Sequence, residues 1–200
     1  SNILFILEND EITSSQKKQM DNHGKVYESL IQGKMMFCLL GLNPKVIITR
    51  DPNCSISKAE FPEEFEQLNL DYNIFQSYEN TKFNKFNEIE IDLIISIDMN
   101  GEERIKIPYF LSFNAPQVKY LEITPKSQKV HIFIEAFVNP FDFRKKIVQL
   151  EKISQLVTKI SKIQNCKRKF EGEHLFAFIT NSDSETAKKL YMREISNLVL

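Results

Sequence analysis

A chain of 200 residues, 42% hydrophobic and 26% charged, has enough apolar material for one packed domain or two small ones. Its formal net charge of −1 argues against global attraction to nucleic acid or an anionic membrane, and no apolar run approaches the roughly 18–20 residues that span a bilayer. The cysteines Cys38, Cys54 and Cys166 are odd in number and far apart, which excludes a disulfide framework and a Cys-x-x-Cys zinc site; they predict reduced thiols in a soluble intracellular protein, nuclear or cytoplasmic.

Asn2 to Leu7 reads as a short strand and Glu8 to Gly24, polar and rich in turn formers, as a loop. Lys25 to Leu42 is a helix ended by Gly41 and Asn43-Pro44, and the β-branched Lys45 to Thr49 is a strand. Glu60 to about Phe75 is an acidic amphipathic helix, with Ser57 and Glu60 at capping-box spacing.

In Glu88 to Asp98 every second residue from Ile89 to Ile97 is apolar, and Ile105, Ile107, Tyr109 and Leu111 repeat the pattern. Asn100-Gly101 between them signals a hairpin, whose register would pair Ile95 with Ile105 and Leu93 with Ile107. Strands at Gln117–Thr124 and Lys129–Val138 complete a four-stranded antiparallel meander. Asn139-Pro140 then caps a long helix running to about Gln164, with a helical stripe from Phe143 to Ile160. A strand, His174 to Thr180, and a helix, Ser184 to Leu198, close the chain. The expectation is an α+β fold: the meander with the long helix packed on it as a core over residues 58–165, an N-terminal extension over 1–57, and a C-terminal strand and helix over 166–200.

The run Ile107-Pro108-Tyr109-Phe110-Leu111-Ser112-Phe113-Asn114-Ala115-Pro116-Gln117-Val118-Lys119-Tyr120 resembles the Phe-Pro-x-x-Tyr-Pro-x-x-Pro-Pro-x-Val-x-Phe stretch of ubiquitin-conjugating enzymes and their non-catalytic relatives, the RWD and ubiquitin-conjugating-variant domains. Pro108, Pro116 and Val118 match by identity, while Leu111, Ser112 and Ala115 depart. Leu121 to Pro140 contains neither the His-Pro-Asn segment nor the catalytic cysteine of the active enzymes. The resemblance therefore implies a non-enzymatic protein-interaction module, a subunit of a larger eukaryotic hetero-oligomer of kinetochore or ubiquitin-pathway type. No cofactor or metal is expected.

Phe110 and Phe113, at the irregular connection, are candidate partner-binding anchors. Phe143 to Lys169 carries nine basic residues against Glu151 alone, and Lys159, Lys162, Lys167, Arg168 and Lys169 are candidate contacts to an acidic partner. Two alternatives stand beside this reading: a nucleic-acid module using that helix, and a divergent conjugating enzyme using Cys166 or Cys54. Glu88, Glu90 and Asp92 on one strand face read as cross-strand partners of Arg104 and Lys106. His131 and His174 lack metal spacing and read as packing residues.

Overall fold

A computed structural model describes residues 3–8, 24–68, 88–138, 142–164 and 170–181. In chain order these form β1 (Ile3–Glu8), α1 (Gly24–Leu42), β2 (Ile47–Arg50), β3 (Ser55–Ser57), α2 (Pro62–Glu66), β4 (Glu88–Glu90), β5 (Leu93–Asp98), β6 (Ile105–Leu111), β7 (Lys119–Ile123), β8 (Lys129–Phe137), α3 (Phe143–Ile160) and β9 (Glu173–Thr180). Of the predicted helix at Glu60–Phe75, α2 is the helical part among the described residues; residues 69–75, and the predicted helix at Ser184–Leu198, lie outside them. Asn139 and Pro140 also lie outside them; the residue preceding α3 is Asp142.

The fold is α+β, but the four-stranded meander is not formed. Seven strands make one mixed sheet in the order β2-β5-β8-β9-β1-β6-β7, and β3 pairs with β4 apart from it. β5 and β6 are not neighbours. Ile95 lies opposite Ile132 and Leu93 opposite Ile134, while Ile105 pairs with Ile123 and Ile107 with Leu121. The segment from β5 to β8 is one long hairpin with its tip at residues 112–118, and both arms bend partway along.

Asn100-Gly101 makes the bend in the first arm. Both residues are left-handed (φ 51° and 82°), and the Glu102 amide donates to the Met99 carbonyl at 2.8 Å. That is the geometry of a two-residue reversal. Here the reversal is docked on the opposite arm: the Gln128 side chain accepts from the Gly101 amide at 2.8 Å and donates to the Glu102 carbonyl at 3.2 Å. The alternation of β5 and β6 fits several partners equally well, so the pattern could not choose among them.

β1 and β9, expected as additions to a core, are the centre of the sheet. β8, β9, β1 and β6 run parallel in that order. β9 and β1 carry apolar residues on both faces, which suits only strands covered on both sides. Ile6, Ala177 and Ile179 join one core with Met35 and Leu39 of α1; Phe5, Phe176 and Phe178 join the other with Ile147, Ile153 and Val157 of α3. Much of the chain's phenylalanine is in this second core, where Phe133 stacks on Phe176 at 5.6 Å between centroids.

Asn43, just after α1, ties the helix to the diverging edge of β6. Its amide donates to the Lys106 carbonyl and accepts from the Lys106 amide, each at 2.8 Å, so one side chain replaces a missing strand partner.

Candidate active site

The carboxyl ends of β8, β9, β1 and β6 share one end of the sheet, since Phe137 is level with Thr180, Leu7 with both Thr180 and Phe110, and Glu8 with Leu111. Open α/β sheets bind ligands at such an end. Two polar clusters are built there.

The first assembles four elements. Asp92 directly precedes β5, Glu135 lies near the end of β8, Lys146 is in the first turn of α3, and Glu28 is early in α1. The Lys146 ammonium sits 2.8 Å from Asp92 Oδ2 and 3.0 Å from Glu135 Oε2. Asp92 Oδ2 also accepts from the Ala136 amide at 2.8 Å, continuing the ladder beyond the last β5–β8 pair. A second rank holds this arrangement: Gln32 Nε2 donates to the Asp92 carbonyl at 3.0 Å, and Arg50 donates to Gln32 Oε1. The Glu135 side chain is 1% exposed, and its Oε1 has no hydrogen-bond partner among the described residues.

Three carboxyl groups beside one ammonium cannot all ionise cheaply in a buried place. Burial, then the Asp92 charge, raises Glu28 to about 7. Burial, again followed by Asp92, holds Glu135 well above the usual carboxylate range. Burial would also raise Asp92, but hydrogen bonding from Glu135, the Lys146 charge and the Ala136 amide outweigh it and bring Asp92 below its ordinary value. Burial pulls Lys146 down, while Glu135 and Asp92 together hold its ammonium above the usual lysine range. Asp92 and Lys146 are thus held toward their charged forms, and Glu28 and Glu135 are pushed toward their protonated ones. Groups with pKa values pushed apart are the usual equipment of acid–base chemistry.

The second cluster is Glu8, Lys34 and Asn181. Lys34 Nζ is 3.0 Å from Glu8 Oε2, and Asn181 Nδ2 donates to Glu8 Oε1 at 2.9 Å. The Cys38 thiol donates to the Ser112 carbonyl at 3.5 Å, and burial raises its pKa, which leaves it a poor nucleophile.

The expected pairing of Glu88, Glu90 and Asp92 with Arg104 and Lys106 does not form, because β5 is not beside β6. Glu88 and Glu90 lie opposite Ser57 and Ser55 on an exposed ribbon, and Asp92 turns into the buried cluster. His131 and His174 are directly paired on β8 and β9. His131 Nε2 donates to the Glu171 carbonyl and Nδ1 accepts from Ser96 Oγ, each at 2.9 Å; His174 Nε2 donates to the Phe170 carbonyl at 2.7 Å. These bonds fix packing and leave no open pair of ring nitrogens. Among the described residues, no group of three or more His, Cys, Asp or Glu stands at metal-binding spacing.

Phe113 is 55% exposed, its ring 5.5 Å from that of Phe37, and Phe110 is half-buried beneath the Lys119 ammonium. Lys159 donates to the Gln67 carbonyl at 2.7 Å and thereby anchors the end of α2; Lys162 is exposed. Lys167, Arg168, Lys169 and Cys166 lie outside the described residues, and Cys54 is half-buried, its thiol donating to the Asp51 carbonyl at 3.3 Å. A polar cleft of ≈ 610 Å³ beside Asn43, Arg104 and Glu122 opens near the start of β6, away from the acid–lysine cluster. No described helix is long and apolar enough to cross a membrane.

Sequence reading missed Glu28, Glu135 and Lys146. Glu135 carried a usable signal, as the one carboxylate in the otherwise apolar run Ile132 to Val138. Lys146 was hidden among the basic residues of α3, and nothing in the sequence brings Glu28 to them. No family model matches the chain, and no curated protein or solved structure does either.

Proposed function

We propose that this protein is a hydrolase of phosphodiester bonds in nucleic acid, acting by acid–base catalysis at Glu28, Asp92, Glu135 and Lys146. The observation that carries the reading is the Lys146 ammonium gripped by Asp92 and Glu135 at the carboxyl end of β8, with Glu135 Oε1 uncommitted. These groups set a fixed cation beside carboxyls able to exchange protons.

The chain's own groups carry the reaction. Lys146 stabilises negative charge on the phosphoryl oxygens as water attacks phosphorus. Glu28, near neutral pKa, exchanges the proton. The new P–O bond forms from water, the bond to the sugar oxygen breaks, the water's proton passes to a carboxylate, and the departing oxygen takes up a proton. Lys145, exposed beside Lys146 in the first turn of α3, adds a positive charge near the site.

The test is cleavage of labelled DNA and RNA in EDTA, for the wild type and for Asp92→Asn and Lys146→Met. Cleavage that persists in EDTA and is lost in both folded variants supports the reading. An inert wild type, or variants as active as the wild type, removes it.

A protein-interaction module within a larger assembly is the second reading. It is favoured by the outer face of α1, where Val26, Phe37 and Leu40 are about half exposed. Co-purification of stoichiometric partners that is lost in Phe37→Ser/Leu40→Ser would support it. The odd number and wide spacing of the cysteines favour an intracellular setting for either reading.

A further inference from the structure

We propose that the outer face of α1 joins two copies of this chain, their helices packing antiparallel about a two-fold axis at Gly33. This deepens the interaction reading of the same face, on which it rests, by naming the partner; it is independent of the hydrolase reading.

The face is defined first by what it lacks. At about 100° per residue, Val26, Ser29, Leu30, Gly33, Phe37 and Leu40 fall within an arc of about 100° of the helix. None carries a charge. Glu28 and Lys34 point elsewhere, into the two polar clusters. An ordinary surface helix turns charged side chains to water. α1 instead leaves Val26, Phe37 and Leu40 about half exposed. Phe113, its ring 5.5 Å from that of Phe37, widens the apolar face at one end.

The order of residues along the face identifies the occupant. In an antiparallel pair centred on Gly33, each residue meets the one equally far on the other side of the centre. Phe37 then meets the partner's Ser29, Leu40 the partner's Val26 and Met36 the partner's Leu30, while Gly33 meets its own copy. The bulkiest ring falls on the smallest side chain, and aliphatic groups fall on aliphatic groups. A two-fold contact requires such self-matching, because each pair occurs twice. A Cβ at Gly33 would meet nothing within 4 Å, so the space above the glycine is open to a second backbone. A two-fold axis also sets each charge near its own copy, so a face without charge is the kind that pairs with itself. The formal net charge of −1 adds little repulsion at longer range. A foreign protein would place no such condition on the two halves of α1.

Val26 to Leu40 spans about 21 Å of helix. A contact of that length is at the small end of stable interfaces, so the dimer forms in a concentration-dependent equilibrium.

The test is sedimentation equilibrium of the full chain from about 1 to 100 μM, for wild type and Gly33→Glu. The open space accepts the new side chain, and glutamate suits a helix better than glycine, yet two carboxylates then meet on the axis. The expected result is a wild-type mass that climbs toward twice that of the chain. Gly33→Glu should keep its circular dichroism and associate at least about tenfold more weakly. Under mild oxidation Gly33→Cys should give a disulfide-linked dimer. Ser29→Cys should not, because its copies stand about 12 Å apart along the helices; the native cysteines are common to both variants. A monomer throughout, association unchanged in Gly33→Glu, or cross-linking through Ser29→Cys rather than Gly33→Cys overturns the dimer. Its failure is distinguishable from that of the interaction reading: a wild-type monomer that captures stoichiometric foreign partners, lost in Phe37→Ser/Leu40→Ser, overturns the dimer alone. A dimer dissolved by Gly33→Glu that holds no other protein supports the two-fold contact and removes the larger assembly.

Discussion

Glu135 is a buried carboxyl whose Oε1 has no hydrogen-bond partner among the described residues. A strand residue in this position would hold more securely as a neutral side chain, because burying a carboxyl costs stability unless it is fully paired. Glu135→Gln should therefore leave the melting temperature unchanged or raise it while cleavage falls by about a hundredfold or more. Thermal melts run beside the cleavage assay check both halves. Lys146→Ala should behave oppositely, since it strips the Asp92 carboxylate of its cation; a loss of about 3–5 kcal/mol is expected in denaturant titration.

His131 gives a pH signature. Burial, with a smaller contribution from the His174 and Lys129 charges, lowers its pKa, against the Glu171 carbonyl and Asp51, which raise it. The unfolded chain then takes up the proton first. The stability from the neutral ring is present above the ordinary value of 6.5 and is lost as pH falls below it toward the depressed folded value. His131→Phe should flatten the dependence of melting temperature on pH between about pH 5 and pH 7.

At the level of elements, backbone geometry is the constraint. Gly172 lies at φ 117°, and a Cβ there would come within 2.1 Å of the Lys129 carbonyl oxygen, where β8 and β9 begin side by side. Gly172→Ala should cost about 1–3 kcal/mol and separate those strand starts, seen as faster amide exchange in β9. Asn43→Ala should cost a similar amount, since it unpairs both backbone groups of Lys106 at once.

The strand periods, the α1 and α3 stripes and the Asn-Gly reversal were all readable, because each depends on neighbours in sequence. What joins β5 to β8 rather than to β6 was not, because it depends on Gln128 reaching back across the sheet. The site was half readable for the same reason. Asp92 stood out with Glu88 and Glu90, but its true partners are 43 and 54 positions away (135 − 92 and 146 − 92).

For the whole molecule, the central place of β1 sets the limits of what can be removed. β1 holds β9 on one edge and β6 on the other, so the strand ladder reaches β6 and β7 only through it. Deleting residues 1–8 should abolish cooperative unfolding, and residues 58–165 alone should not fold; far-ultraviolet circular dichroism with a thermal melt checks each. A native-like melt for the 58–165 fragment would mean that the long bent hairpin and α3 are self-sufficient.

The pairing of β1 with β9 also has a cost in time. Ile3 must find Phe176, a partner made 173 residues later (176 − 3). At about 5–20 residues per second, a ribosome leaves the first strand waiting on the order of 10–30 s for its neighbour. During that interval both apolar faces of β1 stand open. The nascent chain is therefore a natural client for chaperones that shield extended apolar segments, and its sheet closes only once residues 173–180 have been made.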